Sequence, residues 1–119
     1  MNEFLLWGAA GSPYFRSVLM ALEEKDHPYR VRLMGIGETK GAEHLARHPF
    51  GRLPVCDHGD FRLYETQAIL RYIDQVCPGA VLHPEGAMLG ETGLGGWLER
   101  MRARPSFAAT EADRVAQAA

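Results

Sequence analysis

In this 119-residue chain two stretches put oxygen-bearing side chains where a helix should begin, and a third puts a proline where a strand should begin. Ser12 followed by Pro13 reads as an N-cap with proline at the first helical position. A hydroxyl there can donate a hydrogen bond to an anion, and the positive end of the helix dipole favours the same charge. Serine before proline is also among the commonest plain caps. Glu65 and Thr66 precede the apolar pattern of a second helix, where a free hydroxyl and exposed N–H groups make an anion site. A carboxylate beside that site can attract an ammonium group, although simple capping explains both residue types equally well. Pro54 follows Leu53 at the start of a strand that should be central, where an ordinary trans proline would spoil pairing. His44 and His48 stand four apart, a spacing that could hold zinc on one helix face, but no third ligand is near and Pro49 ends the helix, so no metal is expected. Cys56 and Cys77 match neither a disulfide framework nor a C-x-x-C motif and read as small buried apolar residues.

The elements that must position these groups follow from periodicity. Phe4 to Trp7 is an apolar run of strand length, and Gly8 to Gly11 make a turn. Phe15, Val18, Leu19 and Leu22 then repeat on one face of a helix starting at Ser12. Tyr29, Val31 and Leu33 alternate with Arg30 and Arg32, the period of a half-buried strand toward a sheet edge. Strand, helix, strand is a right-handed βαβ unit. Gly35, Gly37 and Gly41 break any period between Met34 and Phe50, so this stretch reads as a functional loop with room for a short helix over Ala42 to Arg47. Leu53 to Cys56 and Phe61 to Leu63 are short strands joined by a polar turn, Asp57-His58-Gly59-Asp60. A helix from about Glu65 to Val76 carries Ile69, Tyr72, Ile73 and Val76 on one face.

Three motifs in order, Gly11-Ser12-Pro13-Tyr14-Phe15-Arg16-Ser17-Val18, His48-Pro49-Phe50-Gly51-Arg52-Leu53-Pro54 and Glu65-Thr66-Gln67-Ala68-Ile69, resemble the glutathione S-transferase N-terminal domain, closest to its serine-using theta, phi and delta types. The resemblance covers residues 3 to 82. It implies an α/β, thioredoxin-like βαβ-ββα sandwich, with glutathione as co-substrate and Ser12 as the catalytic hydroxyl. A thiol with pKa near ~8.5 is mostly protonated at neutral pH, and lowering that value by about two units needs roughly 2.7 kcal/mol of differential stabilisation, which a hydroxyl and a helix dipole can supply. The resemblance also implies a cis bond into Pro54, leaving Leu53 to pair with the cysteinyl backbone of glutathione as an added strand would. Glu65 and Thr66 would take the γ-glutamyl end and Lys40 the glycyl carboxylate, with Arg52 among the glutathione-binding residues. Tyr14 is a second, lower-ranked hydroxyl. Three departures matter: Thr39 where histidine is often found, His48 in place of asparagine, and Arg52 in place of glutamine or lysine.

Residues 85 to 96 hold five glycines in twelve positions, a linker composition. The expected organisation is therefore a glutathione-binding unit over 1–82, a Gly-rich linker over 83–96 and a short helical remnant over 97–119. Trp97-Leu98-Glu99-Arg100-Met101-Arg102-Ala103-Arg104-Pro105-Ser106 resembles the last segment of the family's second, helical domain. In that remnant Thr110 with Asp113 reads as a weak capping box for a final Ala-rich helix. With most of that domain missing, the surface carrying Val18, Leu22, Ile69 or Tyr72 should lose its cover, so residues 97–118 should fold back over it or a second subunit should cover it.

The chain has room for one domain at 46% hydrophobic content. Its 13 basic and 15 acidic residues leave a net charge of -2 without a block of either sign, which points away from nucleic acid and from membranes. No signal peptide or transmembrane stretch is visible, so a cytoplasmic protein is expected. The leading expectation is a detoxifying, homodimeric transferase joining the glutathione thiolate to a hydrophobic electrophile. Its rival is a non-catalytic glutathione-binding or dimerising module. A glutaredoxin is excluded, because Ser12-Pro13-Tyr14-Phe15 stands where that relative carries Cys-Pro-Tyr-Cys.

Overall fold

Every second residue of β1 (Phe4–Gly8) is buried, Phe4, Leu6 and Gly8 on one face with Leu5 and Trp7 half-buried on the other. The structure, a computed structural model, describes residues 3–83 and 99–119. The expected linker over 83–96 and residues 97 and 98 lie outside that range, except for His83. After β1 come α1 (Pro13–Glu24), β2 (Tyr29–Leu33), a 3-10 turn (Ile36–Lys40), α2 (Ala42–Arg47), β3 (Val55–His58), β4 (Phe61–Tyr64) and α3 (Thr66–Val76). Two short helices, α4 (Pro105–Ala109) and α5 (Ala112–Ala118), close the chain.

The sheet order is β2-β1-β3-β4, with β1 parallel to β2 and antiparallel to β3, and β3 antiparallel to β4. Phe4, Leu6 and Cys56 meet Phe15, Val18, Leu19, Leu22, Ile69 and Ile73 in one core, so α1 and α3 cover the same sheet face. Each such large apolar side chain taken fully out of water is worth about 1.5–3 kcal/mol. Gly8 is required by this packing, since a Cβ there would fall 2.1 Å from the ring of Phe15. On the other face Trp7 lies beneath the guanidinium of Arg47 from α2, 3.8 Å from the ring centre.

Several expectations shift in detail. The stretch between β2 and β3 is ordered into the 3-10 turn and α2, with α2 over the expected residues. The third strand begins at Val55 and runs through Asp57 and His58, which were expected in the turn. Long-range partners hold these polar residues in the strand: Trp7 donates to Asp57 at 3.1 Å, Arg62 donates to it at 2.6 and 2.8 Å, and His58 stacks on Phe4 at 4.1 Å. Thr110 does not cap α5. Its hydroxyl donates to the Ser106 carbonyl at 2.8 Å, and Glu111 takes the N-cap position.

The C-terminal residues do fold back, and Val115 of α5 joins the core cluster that holds Val18, Leu22 and Ile69. Val18, Leu22 and Ile69 are buried against the sheet, and Tyr72 is half-buried beside Phe4 and Phe61. Polar contacts to α1 hold the tail as well. Arg16 donates to the Phe107 carbonyl at 2.7 Å and to Thr110 Oγ1 at 3.3 Å, and its guanidinium lies 4.1 Å from the Phe107 ring centre. Glu24 accepts hydrogen bonds from Arg104 Nε, at 2.6 Å, from Arg104 Nη2 and from Ser106. The Arg104 bonds chiefly, and Ser106 with them, outweigh burial and lower the Glu24 pKa to about 2.

Candidate functional site

Ser12 caps α1 from an extended backbone, φ -78° and ψ 124°, and its Oγ accepts from the Phe15 amide at 3.3 Å. A hydroxyl used as an acceptor in this way keeps its own proton free to donate. Pro13 occupies the first turn, and the side chain of Tyr14 stands 65% exposed beside it.

The segment between α2 and β3 is held from within. His44 is buried and donates from Nε2 to the Arg52 carbonyl at 2.8 Å. His48 is buried too, and its Nδ1 accepts from the Phe50 amide at 3.1 Å. That bond assigns the proton of neutral His48 to Nε2, which faces Glu65 Oε1 at 3.8 Å. Burial holds the His48 pKa below the usual histidine value, with the Glu65 carboxylate pulling partly the other way. Both imidazoles are thus committed to the chain around them. Gly51 has φ 60°, and a Cβ on it would lie 2.6 Å from the Thr39 carbonyl, so only glycine lets the loop pass so close. The Leu53–Pro54 peptide bond is cis.

At the start of α3, Glu65 adopts φ 76° and ψ 117°, one of two non-glycine residues with positive φ among the described residues. Glutamate in this region costs about 1–3 kcal/mol of local strain. Its side chain is 66% exposed and therefore available to solvent or ligand.

These segments enclose a cleft of about 300 Å³ lined by Tyr14, His48, Arg52, Leu53, Glu65, Thr66 and Gln67. Of the residues singled out from the sequence for binding or chemistry, Tyr14, Arg52, Leu53, Glu65 and Thr66 meet there. Ser12 stands two residues before Tyr14 without lining the cleft itself, and Pro54 is buried behind Leu53. Lys40 lies outside the lining, and its Nζ donates to the Phe50 carbonyl at 3.2 Å, bracing the loop. His48 and Gln67 join the site without having been marked as ligand residues. Their membership of the same two motifs was the available signal.

A mixed sheet with two helices on one face, a proline-headed inner strand and an open cleft between two helix N-termini defines a thioredoxin-like α/β sandwich. Residues 2–75 match the family of the glutathione S-transferase N-terminal domain, and the chain belongs to that family. It is 41% identical over 70 residues to glutathione S-transferase 4 of Zea mays, a match covering 57% of this chain and 31% of that protein. Against glutathione S-transferase 1 of Schizosaccharomyces pombe the identity is 40% over 78 residues, covering 61% and 34%. Among solved structures it is similar to the theta class glutathione S-transferase of Xanthomonas axonopodis pv. citri with glutathione bound. There the TM-score is 0.60 at 28% identity, over 65% of this chain and 38% of the other. The chain spans about a third of the length of the curated relatives it matches.

Proposed function

We propose that the chain binds glutathione in the cleft between the N-termini of α1 and α3. The observation that carries this reading is Glu65, a glutamate kept in a backbone conformation that glycine would adopt at lower cost, on the rim of the cleft. Strain of that kind persists where the side chain is needed. Glu65 attracts the ammonium of the γ-glutamyl group, and Thr66 with the α3 N-terminus takes the neighbouring carboxylate. Leu53 pairs with the cysteinyl backbone, Pro54 shapes that turn, and Arg52 offers a cation to the glycyl carboxylate, with Lys40 bracing the loop behind. Ser12 is the hydroxyl that donates to the thiolate.

On the transferase reading this thiolate attacks an electrophilic carbon of an apolar co-substrate, in a cytoplasmic homodimer. The two free cysteines suit a reducing compartment: Cys56 is buried and its thiol is pushed up to about 12, first by desolvation. Dimerisation is read by light scattering. One observation favours the second reading, a module that binds glutathione without turnover: among the described residues, those lining the cleft come from 14–67 and none from 99–119.

Calorimetric titration with glutathione tests the proposal. Glu65→Ala should weaken binding by about tenfold to a hundredfold, the range for a lost charged hydrogen bond. Ser12→Ala should spare affinity. Equal affinity of wild type and Glu65→Ala would refute the placement. Assay with an aryl halide acceptor then separates the two readings, since the module binds without conjugating.

A further inference from the structure

β2 is an edge strand, and its backbone phase can be worked out. Met34 N donates to the Gly8 carbonyl of β1 at 2.9 Å, so alternate residues Arg32 and Arg30 also direct their backbone groups toward β1. Tyr29, Val31 and Leu33 therefore turn their N–H and C=O groups outward along the free edge. A cleft of about 500 Å³ runs beside this edge, with Arg30, Val31, Arg32, Arg114 and Val115 among its lining. It lies between β2 and α5, and among the described residues it shares none with the cleft at Leu53 and Glu65.

Three arginines, Arg30, Arg32 and Arg114, line this groove against one acidic side chain, Glu23, among the described residues. Arg30 carries only an exposed ion pair with Glu3, of the kind worth about 0–1 kcal/mol, and Arg32 and Arg114 have no ion pair among the described residues. Glu23, the acid in the lining, accepts a hydrogen bond from the Tyr29 hydroxyl at 2.6 Å. Tyr29, Val31 and Val115 present an apolar side to the same space. A strand added here would alternate its side chains between the arginine face and the apolar face. Two copies of β2 paired antiparallel about Val31 would set each copy's Arg30 opposite the other's Arg32, a like-charge arrangement that opposes self-pairing.

The geometry points to the β2 edge as a docking site for an extended acidic segment of a partner protein, which joins the sheet as an additional strand. Main-chain hydrogen bonds to Tyr29, Val31 and Leu33 supply the affinity, and carboxylates set against Arg30, Arg32 and Arg114 select the sequence. This docking does not depend on glutathione.

The test is calorimetry on the whole chain with a capped octapeptide of alternating Glu and Val, its Lys and Val counterpart, and two versions of the acidic peptide N-methylated on the valines or on the glutamates. The acidic peptide should bind saturably. At least one N-methylated version should bind more than about tenfold weaker, because one phase of amides faces the edge. Arg30→Glu with Arg32→Glu should lose affinity for the acidic peptide by a similar factor and gain affinity for the basic one, a swap that unfolding would not produce. The proposal is overturned by no saturable binding, by equal binding of acidic and basic peptides to the wild type, by full affinity of both N-methylated versions, or by self-association through β2 that the peptide disrupts.

Discussion

The two ends of α1 are built in opposite ways. At its C-terminal end Lys25 is 2% exposed at the side chain, pairs with Asp74 at 2.7 Å and donates to the Ala80 carbonyl at 2.5 Å. Asp74 also accepts from the amides of Leu82 and His83, each at 2.9 Å, and Lys25 first, with those amides, holds its carboxyl well below the usual range. Beside it Glu24 clasps Arg104 and Ser106. At the N-terminal end the Ser12 cap bond is long, at 3.3 Å, Tyr14 is exposed and the cleft is open, while Arg16 one turn further on holds the tail at Phe107 and Thr110. Anchoring one end of the helix leaves the dipole and hydroxyl of the other end free for a ligand, so stability and binding should respond to different substitutions.

The sharpest way to break that contrast is Asp74→Ala. It leaves the Lys25 ammonium without its carboxylate partner and should lower the urea unfolding midpoint clearly, with glutathione affinity of the folded fraction unchanged. An unaltered unfolding midpoint would remove the anchor from the account. Glu65→Gly probes the opposite end: it should lower glutathione affinity at least about tenfold while gaining up to about 1 kcal/mol of stability, because glycine relieves the positive φ. Loss of both affinity and stability would show that Glu65 is structural.

Glu24→Gln should cost about 1–2 kcal/mol by weakening the charged bonds to Arg104. The folded pKa of Glu24 is lowered from 4.5 to about 2, so its contribution is present above pH 4.5 and lost as pH falls through about 2. Wild type should therefore lose stability more steeply than Glu24→Gln across that window, and parallel curves would contradict the pairing. Ser12→Ala is the smallest change. Removing a long cap bond should cost about 0.5–1 kcal/mol, measured by thermal unfolding.

The sheet and its two main helices were legible because period-two and helical spacing report directly on which face is buried. The start of β3 was not, since Asp57 and His58 look like turn residues until Trp7, Arg62 and Phe4 are placed against them. Thr110 resembled a cap for a similar reason, its hydroxyl being taken by Ser106 and Arg16 instead. The apolar part of the tail's docking, Val115 in the cluster of Val18, Leu22 and Ile69, follows from that helix face, while the polar anchors Arg16 and Glu24 show only once the tail is placed against α1. Within the cleft, Arg52, Leu53, Glu65 and Thr66 stood out by motif. His48 was noticed only as an odd residue, and its orientation toward Glu65 depends on the Phe50 amide that holds its other nitrogen.

The most direct measurement is the pKa of the bound glutathione thiol, followed by thiolate absorbance against pH at saturating protein for wild type and Ser12→Ala. The account predicts a value about two units below the free thiol's ~8.5 in the wild type and a return toward it in the variant. A bound thiol that titrates near ~8.5 in both proteins would contradict it.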